Sequence, residues 1–320
     1  MAATARRRRV LIGYDGSEGA SDALALGSLL GKTIGRELVL ACVYAHEPIL
    51  SKEIQQARQD DAEAKLDSAL AELGSIELPV HGLAHPSTSA ARGLCELAED
   101  AELVVIGAHR HPSPSRLLPV RVAARLLHGS PCPVAIAPRG FASRRPGRLR
   151  RIVVGFDGSP ESRLAVAEAA TLAASGGIEL LVVRAVPDAR PELIRALPPE
   201  ALAGYLTTQA ERAEVDVDEI VRELQQTAPC RGEVLRGDPA RSLAAAAAGE
   251  KADLLIVGSR GYGPFRRVLL GSVSGHLARS TDAPLLVTPR GAQVTADQPA
   301  RAAGAACSVA TQSSIRAHQA

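Results

Sequence analysis

The chain has 320 residues, with 37 lysines and arginines against 35 aspartates and glutamates, a formal net charge of +2. That length suits two ordinary domains, and so even a balance argues against a dedicated nucleic-acid surface. Apolar residues make up 46% but aromatics only 2%, with no tryptophan, so the core must be Ala, Val, Leu and Ile, as in parallel sheets covered by helices, with little left for base-stacking platforms.

In chain order, the basic run Arg6–Arg9 precedes only Val10-Leu11-Ile12 before Asp15 follows. No signal sequence or membrane span is expected. The first strand ends on Gly13-Tyr14-Asp15-Gly16-Ser17. An aspartate there can be a catalytic carboxylate, but a strand-end Asp before Gly-Ser is at least as often a turn former bonding its own backbone. His81 and His85 read as straddling a strand end beside Pro86, so they share no helical face. His109 and His111 flank Arg110 without a carboxylate or cysteine at ligand spacing, and no metal site is expected. The cysteines Cys42, Cys95, Cys132, Cys230 and Cys307 show no C-x-x-C spacing and read as reduced thiols of a cytoplasmic protein.

The second half repeats the first. Arg9–Ser17 returns as Arg151-Ile152-Val153-Val154-Gly155-Phe156-Asp157-Gly158-Ser159, and Ala101–Gly107 returns as Ala252–Gly258. Each half closes on a Pro-flanked apolar strand, Pro133–Pro138 and Pro284–Pro289. This divides the chain into a first domain over 8–140, a basic linker over 141–149, a second domain over 150–290 and a tail over 291–320 without periodic apolar pattern, read as disordered.

Short apolar strands alternating with longer helical patterns imply parallel sheets built from β-α-β units. In the second half the strands are expected near 151–156, 178–186, 231–236, 253–258 and 284–288. Ser159 reads as a helix N-cap, with Pro160 at the first helical position and Glu161 in the first turn. The stretch 198–227 reads as a long helix whose acidic middle is a solvated face.

After the buried run Asp253–Val257 comes Gly258-Ser259-Arg260-Gly261, then nine residues, then Gly271-Ser272. Glycines let a backbone turn sharply and approach a ligand. A Gly-Ser pair opening a helix presents amides at the positive end of its dipole, where phosphates bind, at the carboxyl edge of a sheet, where open α/β folds hold ligands. The bland alternative is a glycine-rich loop that simply turns.

On the paired Asp-Gly-Ser turns and this G-x2-G-x9-G-S pattern, the chain resembles the universal stress protein family over both halves. The resemblance implies two tandem Rossmann-like α/β domains, each a five-stranded parallel sheet with helices on both faces. It also implies pairing through the last strands, 133–137 against 284–288, as an internal pseudo-dimer; further assembly into a homo-oligomer stays open. By the same resemblance the second domain is similar to members that bind ATP, with or without Mg2+. Asp157 would lie near the adenosine and Val186 near the adenine. Gly258, Gly261, Gly271 and Ser272 would hold the phosphates with the Val273 amide, and Arg260, Arg266 and Arg267 would offset charge or remain ordinary surface.

The first domain keeps Gly107 but has Arg110 at the second glycine and Val120-Arg121 for Gly271-Ser272. A single competent site, in the second domain, is therefore expected. Gly261→Val or Gly271→Val should abolish binding and leave the fold intact. No Walker lysine, G-x-S-x-G elbow or first-loop G-x-G-x-x-G is present. The expected function is that of an ATP-binding stress-response module with adenine nucleotide and an unidentified protein as partners, and no nucleic acid or membrane. Any hydrolysis would be slow and incidental. A nucleotide-free scaffold or a slow ATP hydrolase are the alternatives.

Overall fold

The computed structural model describes residues 9–73, 77–108, 119–144, 147–189, 191–259 and 271–289, and of 119–121 the backbone only. Residues 291–320, expected to be disordered, lie outside the described residues. The first half runs β1 (Arg9–Gly13), α1 (Glu18–Ile34), β2 (Glu37–Ala45), α2 (Lys52–Leu73), β3 (Val80–Ser87), α3 (Ala90–Ala98), β4 (Leu103–Gly107), α4 (Pro119–Gly129) and β5 (Val134–Ala137). After a 3-10 turn at Ala142–Arg144 comes the second half: β6 (Arg151–Gly155), α5 (Pro160–Ala173), β7 (Glu179–Val186), α6 (Pro191–Ala196), α7 (Pro199–Leu224), β8 (Cys230–Arg236), α8 (Pro239–Gly249), β9 (Leu254–Gly258), α9 (Ser272–Ser280) and β10 (Leu285–Thr288).

The ten strands among the described residues form one sheet, in the order β3-β2-β1-β4-β5-β10-β9-β6-β7-β8. Pairing is parallel within each half. It turns antiparallel only at the seam, where Leu285 meets Ile136, Leu286 meets Ala135 and Val287 meets Val134, joining the two expected last strands. In each half the chain winds outward from its first strand and returns beside it. That reversal opens a crevice at the carboxyl ends of β1 and β4, and of β6 and β9, where open α/β sheets take ligands.

Strand alternation sends neighbouring side chains into opposite layers. Val10 and Ile12 pack with Leu26 and Leu30 of α1, as Ile152 and Val154 do with Val166 of α5 and Val217 and Ile220 of α7. Leu11 packs with Leu94 of α3 and Leu126 of α4, as Val153 does with Leu243 of α8 and Leu277 of α9. Each layer contains residues of both halves, so the seam is continuous core.

Helix starts follow their caps. Ser159 accepts from the Ser162 amide with Pro160 in the first turn, and Asp238 accepts from the Arg241 amide ahead of Pro239. Helix α7 buries one stripe, Ala213, Val217, Ile220 and Leu224, the spacing of a single helical face. Its acidic middle is not entirely solvated, because Asp216 pairs with Arg184 of β7.

One expectation needs correction. His81 and His85 lie inside β3, which pairs with β2 as far as Ala45–Ser87. As β3 is an edge strand, Pro86 is tolerated there because an edge leaves one side of the ladder unpaired. The segment read as linker packs against the domains it joins. Asp22 of α1, 4% exposed, accepts from the Gly140 amide at 2.9 Å and the Ala142 amide at 2.8 Å, and Phe141 and Leu149 are buried. Arg144 then reaches across the seam to the Asp282 carbonyl at 3.1 Å.

Candidate functional site

Both crevices begin with the same turn. Asp15 Oδ1 accepts from the Ser17 amide at 3.0 Å, and Asp157 Oδ1 accepts from the Ser159 amide at 2.9 Å. The intervening glycines, at φ +80° and +82°, occupy the left-handed region that other residues avoid. Each serine then caps the helix behind it: Ser17 Oγ accepts from the Ala20 amide at 3.2 Å, Ser159 Oγ from the Ser162 amide at 3.2 Å. The aspartates are therefore turn formers first. Asp157 remains exposed beside the crevice.

At the end of β9 a polar neck gathers the loop. The Ser259 carbonyl accepts from the Gly271 amide at 3.1 Å and from Ser274 Oγ at 3.1 Å. The Ser259 amide donates to the Thr288 carbonyl at 2.8 Å, fixing the neck to β10. The start of α9 is thereby held at the carboxyl edge of the sheet. Its N-cap, Gly271, has no side chain to accept from the first amides. Ser272 is exposed and Val273 half-buried at that opening. Such a helix start leaves its first amides at the positive end of the dipole, a position able to take an anion.

Structure changes the reason for two of the glycines. A Cβ on Gly258 would lie 2.7 Å from the Glu161 carbonyl carbon, and one on Gly271 would lie 2.5 Å from the Ser259 oxygen. Both contacts are with backbone, which cannot swing aside. Gly258 lets β9 pass under the first turn of α5, where Thr288 Oγ1 also donates to the Glu161 carbonyl at 3.3 Å. Gly271 lets the neck close. The expectation that Gly271→Val would leave the fold intact fails on this contact. Arg260, Gly261, Arg266 and Arg267 lie outside the described residues, as do His109, Arg110 and His111.

Val186 ends β7, but its carbonyl already accepts from the Gly237 amide at 3.0 Å. By alternation from Val182, it stands on the α5/α7 side, whereas Val183 joins the α8/α9 layer. Ala185 alternates onto that second side. Sequence reasoning named Val186 for a backbone contact, a role that does not depend on the face its side chain takes. It missed Ser259, Ser274 and Thr288, none of which belongs to the glycine spacing.

The universal stress protein family profile matches twice, over residues 6–138 and 148–289. The chain belongs to this family. It is 31% identical to the universal stress protein Rv2319c of Mycobacterium tuberculosis, over 78% of this chain and 84% of that one. It is 28% identical to a universal stress protein of Mycolicibacterium smegmatis, over 73% and 79%. Among solved structures, a universal stress protein from Archaeoglobus fulgidus superposes with a TM-score of 0.66 at 19% identity, over 88% of this chain and 96% of that one, which speaks for the fold.

Within this universal stress protein the two halves differ at the neck. Where the second has Ser259, Gly271 and Ser274, the first has Ala108, Val120 and Ala123. Helix α4 opens on Pro119, which carries no amide hydrogen, and so starts two residues ahead of the position matching Ser272. A cavity of about 610 Å3 lies over the first half's strand ends. No helix among the described residues is long and apolar enough to cross a membrane.

Proposed function

We propose that this universal stress protein binds ATP in its second domain and acts as a nucleotide-dependent module of the stress response. The observation that carries the reading is the uncapped start of α9, pinned through the Ser259 neck to the strand end beside Gly258. The Ser272 and Val273 amides suit a phosphate, with Gly261 and Arg260 of the intervening loop completing the cradle and Asp157 and the β7 end bordering the nucleoside. Mg2+, where present, would accompany the phosphates as their counterion. The chain is read as a binding module: hydrolysis at ordinary enzymatic rates of ~1–10³ s⁻¹ is not expected. Cys42, Cys95, Cys132 and Cys230 form no disulfide, in keeping with a reducing cytoplasm.

The test is to purify the chain, denature it and identify any nucleotide released, then titrate ATP calorimetrically. About one adenine nucleotide per chain, abolished by Gly261→Val, supports the proposal. An absence of both released and titratable nucleotide would favour the scaffold reading, and two equivalents would place a second site in the first domain.

A further inference from the structure

We infer that the first domain carries a second small-molecule site, for a compact, uncharged, apolar ligand, and that both halves of the chain wall it. Its hollow of about 610 Å3 is lined by Val43 of β2, Leu94 of α3, Ile106 of β4, Ala123 and Leu127 of α4 and Ile136 of β5. A dry apolar cavity of about 150 Å3 already takes benzene, and small-molecule pockets run to roughly 300–1,000 Å3. This hollow is therefore of ligand size.

Its chemistry separates it from the second domain's cradle. Ala108 and Ala123 stand where Ser259 and Ser274 make the polar neck, and Pro119 opens the adjoining helix without an amide hydrogen. The described charges around it are Asp15, Arg139, Arg279 and Asp282, two of each sign. Arg139 also approaches Glu18 at 4.0 Å. Among the described residues the rim carries no surplus of either sign, while the apolar floor gains by covering hydrocarbon.

The far wall belongs to the second half: Gly275 and Ala278 of α9, then Thr281 and Asp282. A ligand here touches both domains, so neither half alone would make the site.

The probe is N-phenyl-1-naphthylamine, a neutral apolar fluorophore, titrated into the full chain. Saturable enhancement with about one site per chain is expected. Ala123→Phe fills the hollow from the first half and Ala278→Phe from the second. Each should weaken the probe by roughly tenfold or more, with circular dichroism confirming that the chain is folded. Millimolar ATP should leave the probe in place. Lack of saturable enhancement, or unchanged affinity in both filled variants, would overturn the site. So would displacement of the probe by ATP in a Gly261→Val chain, because the nucleotide would then be entering the first domain. Failure of ATP to bind the second domain would leave this result untouched.

Discussion

Ser274 Oγ and the Ser259 carbonyl, fifteen residues apart in sequence, meet at 3.1 Å and close the loop that the family pattern associates with phosphate. The Gly271 amide shares the same acceptor, so removing the hydroxyl leaves the carbonyl satisfied once. Ser274→Ala should therefore cost about 1 kcal/mol of local order and weaken ATP by roughly fivefold. Isothermal titration reads this directly. An unchanged Kd would show that the neck does not organise the binding loop.

The glycines of the pattern should separate into two kinds. Gly258→Ala drives a methyl to within 2.7 Å of the Glu161 backbone and should cost about 1–3 kcal/mol by overpacking, seen as a lower Tm with or without nucleotide. Gly261→Val should lose ATP with little change in the Tm of the nucleotide-free chain. A Gly258→Ala chain melting with the wild type would refute the packing account.

Much of this architecture was legible because its causes are local and repeated. The strands expected near 151–156, 178–186, 231–236, 253–258 and 284–288 fall within one residue of β6 to β10, since runs such as Leu254–Val257 are buried on both faces and end at glycine or proline. The Ser159–Pro160 helix start was equally readable. What escaped depends on distance in the fold. Nothing in the spacing of Gly258 reveals that Glu161 lies against it. Asp22 looks like any helix surface acid until the chain returns 118 residues later to place Gly140 on it.

Asp22 yields a third prediction. Asp22→Ala would leave the Gly140 and Ala142 amides without their acceptor and should cost about 2–3 kcal/mol. Limited proteolysis should then cut near 139–148 well before the rest of the chain. Equal resistance in variant and wild type would mean that the clamp does not hold this crossing.

Glu168 of α5 supplies a pH test. Burial, with the Glu102 carboxylate of the first half adding repulsion, pushes its pKa from 4.5 to about 7; Glu102 itself is paired with Arg36 at 2.7 Å. The folded chain therefore binds a proton that the unfolded chain has released. This contribution is fully present below about pH 4.5 and is lost as pH rises through about 7. Glu168→Gln should raise Tm at pH 8.5, by roughly 2 kcal/mol of stability, and change it little at pH 4. A Tm difference independent of pH would rule out the buried-acid account.

The antiparallel seam between β5 and β10 has a consequence for how the halves could diverge. Two identical subunits meeting on such an axis must carry identical crevices, and any substitution in one appears in the other. Joined in a single polypeptide, the pair keeps a fixed one-to-one ratio while each copy changes alone. One copy can thus hold serines at its neck while the other holds alanines, and α9 can offer its leading end to its own crevice and its trailing end to its neighbour's.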